Sequence, residues 1–90
     1  MVIGKVVGHL WATRKNEELS GFKLLVVKQM GETQGVYTRP VVAADMIGAG
    51  IGDVVLMVKG ASARHALQRP NAPVDTTIIG IIDEIEMQND

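Results

Sequence analysis

DMIGAGIGDVVLMVKGASAR, residues 45–64, places a glycine-rich turn ahead of an aliphatic strand, not a helix. Gly48, Gly50 and Gly52 are spaced like a phosphate cradle, but a dinucleotide fingerprint needs a helix N-terminus after the loop to hold the pyrophosphate. The residues that follow are Asp53, Val54, Val55, Leu56, Met57 and Val58. A continuous, β-branched apolar run reads as a buried strand, and Asp53 at its head would repel a phosphate. Nucleotide binding is therefore set aside, and a β fold is expected.

Upstream, residues 2–13 read as a first strand, with Val6, Leu10 and Ala12 on one face and Ile3, Val7 and Trp11 on the other. Gly4 and Gly8 interrupt it, as where a strand coils sharply at a barrel corner or another backbone comes close. Residues 14–21, RKNEELSG, form a polar loop anchored by Leu19. Residues 23–30 are a second strand. Residues 31–40 connect it, through a short hairpin limb at Val36 and Tyr37, to a short third strand at 41–44. Downstream, residues 54–58 are the fourth strand, and Ser62 caps a short helix through Leu67 that Pro70 and Pro73 stop. The last strand, residues 77–85, packs isoleucines around Gly80, a density expected of a strand covered on both faces. These elements predict a mainly β fold, a small closed OB-like five-stranded β-barrel with one short helix, since closure also removes exposed strand edges. One domain spans residues 1–84, with a loose polar tail over 85–90.

A chain of 90 residues buries only roughly 60–65% of the surface its unfolded form exposes. Hydrophobic residues make up 47% of it and charged ones 21%, more aliphatic side chain than so small a core conceals. Cysteine is absent and the only histidines are His9 and His65, so neither disulfides nor a structural metal supply the missing stability. Oligomerisation is the remaining route. A net charge of −1 gives no electrostatic footprint for nucleic acid or an anionic membrane. The N-terminus does not read as a signal peptide, no segment is long enough to span a bilayer, and the lack of cysteine fits a reducing cytosol.

Chemistry-bearing residues are sparse. Ser62 in GASAR and the nearby His65 suggest a nucleophile elbow, but the second glycine is replaced by Arg64 and no third orienting group is implied. No catalytic residues, cofactor or metal are expected. Asp45, Asp53, Asp75 and Asp83 each abut an aliphatic strand and are expected to be partly buried against backbone amides or an arginine, foremost Arg64 of the same or a neighbouring chain. Single-stranded nucleic acid would require stacking aromatics along a basic groove, and the aromatics total three: Trp11, Phe22 and Tyr37. Trp11 reads as a packing residue or an interface anchor.

Four blocks in order now carry a resemblance over nearly the whole chain. Gly8, Thr13, Lys15, Leu19, Gly21, Lys23, Leu24, Leu25 and Val27 form the first. Val42, Ala43, Asp45, residues 47–50, Gly52, Asp53, Val55 and Leu56 follow the pattern VAxDxxGAGxGxxVL. Gly60, Ser62, Ala63 and Arg64 fit GSSAR, with Ala61 in place of a serine. Pro73, Val74, Asp75, Ile78, Gly80, Ile81, Ile82 and Asp83 fit a closing PVDxxVxGIVD. The sequence resembles the EutN/CcmL family, the vertex proteins of bacterial microcompartments (carboxysomes and metabolosomes).

That resemblance implies an OB-like barrel assembling as a homo-pentamer that caps the vertices of a polyhedral protein shell. It implies a structural role in the cytoplasm, beside hexameric shell proteins, and no nucleic acid or membrane partner. Asp45, Gly48, Ala49, Gly50, Gly52, Ser62 and Arg64 become candidates for the subunit interface or the five-fold axis; for the glycines the alternative is a turn that needs φ > 0 only locally. Arg14 and Lys15 are candidates for contact with neighbouring tiles, or else part of a solvated loop. The competing class is an OB-like module binding single-stranded nucleic acid or a small ligand at the barrel mouth. Which compartment and enzyme cargo such a corner serves stays open at this level.

Overall fold

The structure, a computed structural model, describes residues 1–12, 16–31, 36–86 and 88. Five strands, β1 (Val2–Leu10), β2 (Lys23–Met30), β3 (Tyr37–Asp45), β4 (Val54–Lys59) and β5 (Thr76–Ile81), close into a barrel in the order β1-β2-β3-β5-β4. All neighbours are antiparallel except β3 and β5, which run parallel and pair only at Ala44–Thr77 and Asp45–Ile78. This is the expected OB-like barrel. One helix, α1 (Ala61–Leu67), crosses from β4 to β5, and a 3₁₀ turn at Glu17–Leu19 precedes β2.

Alternation along each strand supplies the interior. Val6, Leu25, Val27, Ala43, Val55, Met57 and Ile78 meet inside with Ala49. A second cluster, Phe22, Ala44, Leu67, Ala72 and Val74 with Leu19 and Leu24 against it, packs outside the barrel wall. Gly4 is where another chain segment comes close, because a Cβ there would lie 2.5 Å from Val27 Cγ1 and 2.8 Å from the Lys28 carbonyl oxygen. The pairing of β1 with β2 slips between Val6 and Gly8, a bulge that bends β1 just past Val2–Lys5, where it also pairs with β4, while the pairing with β2 runs from Gly4 to Leu10.

Several element bounds differ from expectation. β1 ends at Leu10, three residues early. β3 is one strand from Tyr37 through Pro40 to Asp45, not a hairpin limb and a separate short strand. Pro40 interrupts nothing because β3 meets β5 only at its last two residues, so the proline lies where the second edge has no ladder to lose. Helix α1 starts at Ala61 behind Gly60, whose φ of 64° and lack of a side-chain cap take the role assigned to Ser62. It ends at Gln68, which turns left-handed (φ 59°) two residues before Pro70. β5 stops at Ile81, and its outward residues Ile79 and Ile81 stay exposed, so in the single chain only one face of it is covered. Of the expected polar tail, residues 87, 89 and 90 lie outside the described residues.

Gly4→Ala tests the close approach. The added methyl must push against a backbone carbonyl, so the variant should lose about 1–3 kcal/mol and show a lower urea midpoint at unchanged slope. An unchanged midpoint would mean that β1 and β2 part there without cost.

Candidate subunit interface

The loop over residues 46–53, between β3 and β4, is held by two carboxylates. Asp45, 1% exposed at the end of β3, accepts hydrogen bonds from the amides of Ile47 (3.1 Å), Gly48 (3.2 Å) and Ala49 (3.0 Å). Lys23, opposite Asp45 in the β2–β3 register, brings its Nζ to 3.7 Å from Asp45 Oδ2 and donates to the Ala49 carbonyl at 2.9 Å. At the other end, the Asp53 carboxylate accepts from the Gly50 amide at 2.8 Å, while the Gly52 amide donates to the Val6 carbonyl at 2.8 Å and the Val6 amide to the Asp53 carbonyl at 2.9 Å, which ties the loop to β1. Hydrogen bonds to a charged acceptor contribute about 1.5–3 kcal/mol each, so the loop is a fixed surface.

What this fixed loop presents is apolar. Ala49 is drawn fully into the core, and Met46, Ile47 and Ile51 are turned out to solvent, Ile51 with 70% of its surface exposed. Gly48 and Gly52 have φ of 92° and 96°, which explains them as turn residues within one chain. Gly50 has no such reason. Its φ is not positive, and the nearest atom to a Cβ there would be Asp53 Oδ2 at 3.9 Å.

The carboxylate expectation divides. Asp45 is buried and Asp53 half-buried, both on backbone amides, whereas Asp75 and Asp83 are exposed because one precedes β5 in a turn and the other follows its end. Arg64 is not their partner in the chain: its Nη1 donates to the Val74 carbonyl at 3.1 Å, and among the described residues the one ion pair is Lys23–Asp45. The structure thus gathers Asp45, Gly48, Ala49, Gly50 and Gly52 into one loop. Ser62 and Arg64 lie apart on α1, beyond the far end of β4, roughly 20 Å along that strand from Asp53. Ser62 is exposed, and with Val58, Ala61, His65, Ala66 and Ile79 it lines a shallow cleft of ≈ 340 Å³. Arg14 and Lys15 lie outside the described residues.

Three contributors escaped the sequence reading. Lys23 becomes visible only through the β2–β3 register. Arg69, just after α1, donates to the carbonyls of Glu18 and Ser20 and lies over the Phe22 ring, 5.3 Å from its centroid, which fastens the 3₁₀ turn to the helix. Thr77, buried on β5, donates to the Ala63 carbonyl at 3.0 Å and seats α1 on the barrel. Trp11 is not a packing residue of its own chain's core. It is 82% exposed, its ring stacked on His9 with centroids 4.0 Å apart. Among the described residues no group of three or more His, Asp or Glu side chains converges as a metal site would require.

Comparison with known proteins places this geometry. The family described as "Ethanolamine utilisation protein EutN/carboxysome" (EutN/CcmL) matches residues 1–83. The bacterial microcompartment shell vertex protein GrpN of Rhodospirillum rubrum is 39% identical over 89 residues, covering 99% of this chain and 100% of that protein. The carboxysome shell vertex protein CcmL of Synechococcus elongatus is 40% identical over 89 residues, covering 99% of this chain and 90% of that protein. Among solved structures, an ethanolamine utilization protein EutN superposes with a TM-score of 0.90 at 40% identity, covering 97% of this chain and 91% of that one. The GrpN pentameric microcompartment shell protein from Rhodospirillum rubrum does so with 0.78 at 38%, covering 98% and 100%. By sequence over almost its full length and by fold, the chain belongs to the EutN/CcmL family.

Proposed function

We propose that this chain is a shell vertex protein of a bacterial microcompartment: five copies close into a ring, and the ring caps a corner of a polyhedral shell in the cytoplasm. The observation that carries this reading is the full-length match, in sequence and fold, to a pentameric shell protein. The single chain adds physical support. Met46, Ile47, Ile51, Ile79 and Ile81 stay exposed on a barrel whose interior is already filled, and such surface is stabilised by burial against another copy. A head-to-tail contact that closes after five copies is a heterologous interface, in which two different patches of one chain meet. The loop of residues 46–53 and the surface around α1 are two such patches, and we assign Gly48, Gly50, Gly52, Ser62 and Arg64 to the contact between copies or the five-fold axis, with the buried Asp45 and Ala49 holding the loop from beneath.

The role is structural, not catalytic. Hexagonal tiles alone build flat sheets, and a closed polyhedron needs five-fold units at its corners. Hexameric shell proteins are accordingly the expected neighbours, with Arg14 and Lys15 as candidate contacts. An OB-like module for single-stranded nucleic acid is disfavoured by a net charge of −1 and by the position of Trp11, whose ring is stacked on His9 instead of on a basic groove.

Native mass spectrometry checks the stoichiometry: five times 9.7 kDa is expected, and a stable monomer would overturn the reading and return attention to a ligand at the barrel mouth. Gly50→Val checks the loop. Because a side chain at Gly50 has room within the chain, the variant should keep the wild-type circular dichroism spectrum yet lose rings by native mass; intact rings of wild-type thermal stability would remove Gly50 from the contact.

A further inference from the structure

Two arginines on one side of the molecule carry charge that the chain itself does not neutralise. Arg64 is held by the Val74 carbonyl and Arg69 by the carbonyls of Glu18 and Ser20. These bonds fix the guanidinium groups without a carboxylate, since among the described residues the one ion pair is elsewhere, at Lys23–Asp45. Asp75, next to Val74, is exposed; its Oδ1 accepts from the Thr76 hydroxyl at 3.4 Å, and it forms no ion pair with Arg64. Arg64 and Arg69 line a cleft of ≈ 640 Å³ with Ala61, His65, Gln68 and Pro70. A guanidinium fork held by carbonyls keeps further N–H donors free, and its planar geometry suits carboxylates.

The acidic counterpart lies at the other end of the same strands. After β5 the chain reads Asp83-Glu84-Ile85-Glu86. The Ile82 amide extends the ladder by donating to the Val54 carbonyl at 2.7 Å, and Ile85 is half-buried beside Val54 and Ile82. Glu84 and Glu86 flank that anchor, both exposed and, among the described residues, without an ion pair. The cleft adjoins the Lys59–Thr76 end of the β4–β5 pair and the acidic segment adjoins the Val55–Ile81 end, a separation of roughly 17 Å along β5. While Ile85 stays seated, Glu84 and Glu86 cannot enter the cleft of their own chain. A second copy placed head to tail brings the two ends together.

We infer that the cleft between Arg64 and Arg69 receives the carboxylates of Glu84 and Glu86 from the neighbouring copy. This inference rests on the ring proposed above, and it supplies that ring with a polar register beside its apolar contacts. Two forked cations meeting two carboxylates of one short segment fix the order of copies, because the reverse juxtaposition sets like charge against like.

The absence of cysteine makes the test clean. Gln68→Cys and Glu84→Cys are introduced together at exposed positions and treated with a short bis-maleimide. If the segment of one copy lies at the cleft of the next, denaturing gels show a covalent ladder up to five chains, while each single variant yields no more than a dimer. Glu84→Arg with Glu86→Arg should in addition raise the concentration at which rings half-dissociate, on the order of tenfold at low salt, with an unchanged circular dichroism spectrum. A native mass of five chains with no ladder above dimer, or with dissociation unmoved by charge reversal, overturns the cleft assignment and leaves the ring standing. A wild-type monomer overturns both.

Discussion

One buried carboxylate organises this molecule. Asp45 lies at the point where β3 must stop pairing with β2, touch β5 and hand the chain across the barrel mouth to β4. Eight residues without regular structure have to be ordered there, at about 1–2 kcal/mol of backbone entropy each. The three amides gathered by Asp45, the one gathered by Asp53 and the burial of Ala49 offset that cost locally. Lys23 neutralises Asp45 from the neighbouring strand, but it is 44% exposed and 3.7 Å away, so the amides carry most of the hold. With the loop fixed, the side chains left outside are Met46, Ile47 and Ile51, and a rigid apolar surface follows from a polar interaction beneath it.

How far the sequence could be read depended on whether a signal was local. The run from Val54 to Val58 was legible as a strand because continuous β-branched residues favour no other element at that length, and β4 begins where expected. Gly4 was legible as a strand glycine with a structural reason, a barrel corner or a close approach, and the register decides for the close approach. That β3 runs on through Pro40 was not legible, since a proline breaks a central strand but not a free edge, and which residues lie on an edge is fixed by the β3–β5 pairing four residues later. The partner of Arg64 within its own chain was equally out of reach of a local reading. A carboxylate was the chemically natural guess, yet the nearest acceptor in the fold is the carbonyl of Val74, brought there by the turn after α1. Ser62 does not cap because the helix already begins at Ala61 behind Gly60, which places Ser62 inside its first turn. Of the site, the Asp45 loop was legible as a block, whereas Lys23, Arg69 and Thr77 act across 14 to 51 residues of chain and left no local mark.

The fold also constrains the kind of assembly. In a closed barrel most strands already have two neighbours, so copies cannot join by extending a ladder through them. Among the described residues the exceptions are the stretch of β3 before Ala44 and the last three residues of β1, Gly8 to Leu10, each of which pairs with β2 alone. The β1 stretch is only three residues long, and the β3 stretch carries Pro40, which has no amide to donate, and the exposed Arg39, while Lys28 faces Pro40 from β2; shortness, proline and positive charge blunt an edge against adding another strand. Association is therefore left to side-chain surfaces, whose apolar and charged patches have definite positions and so a definite angle between copies. A shared ladder tends to propagate without limit, whereas a contact of fixed angle between unlike patches can close on itself. A shell corner needs the second property, and a barrel whose free edges are short or blunted supplies it.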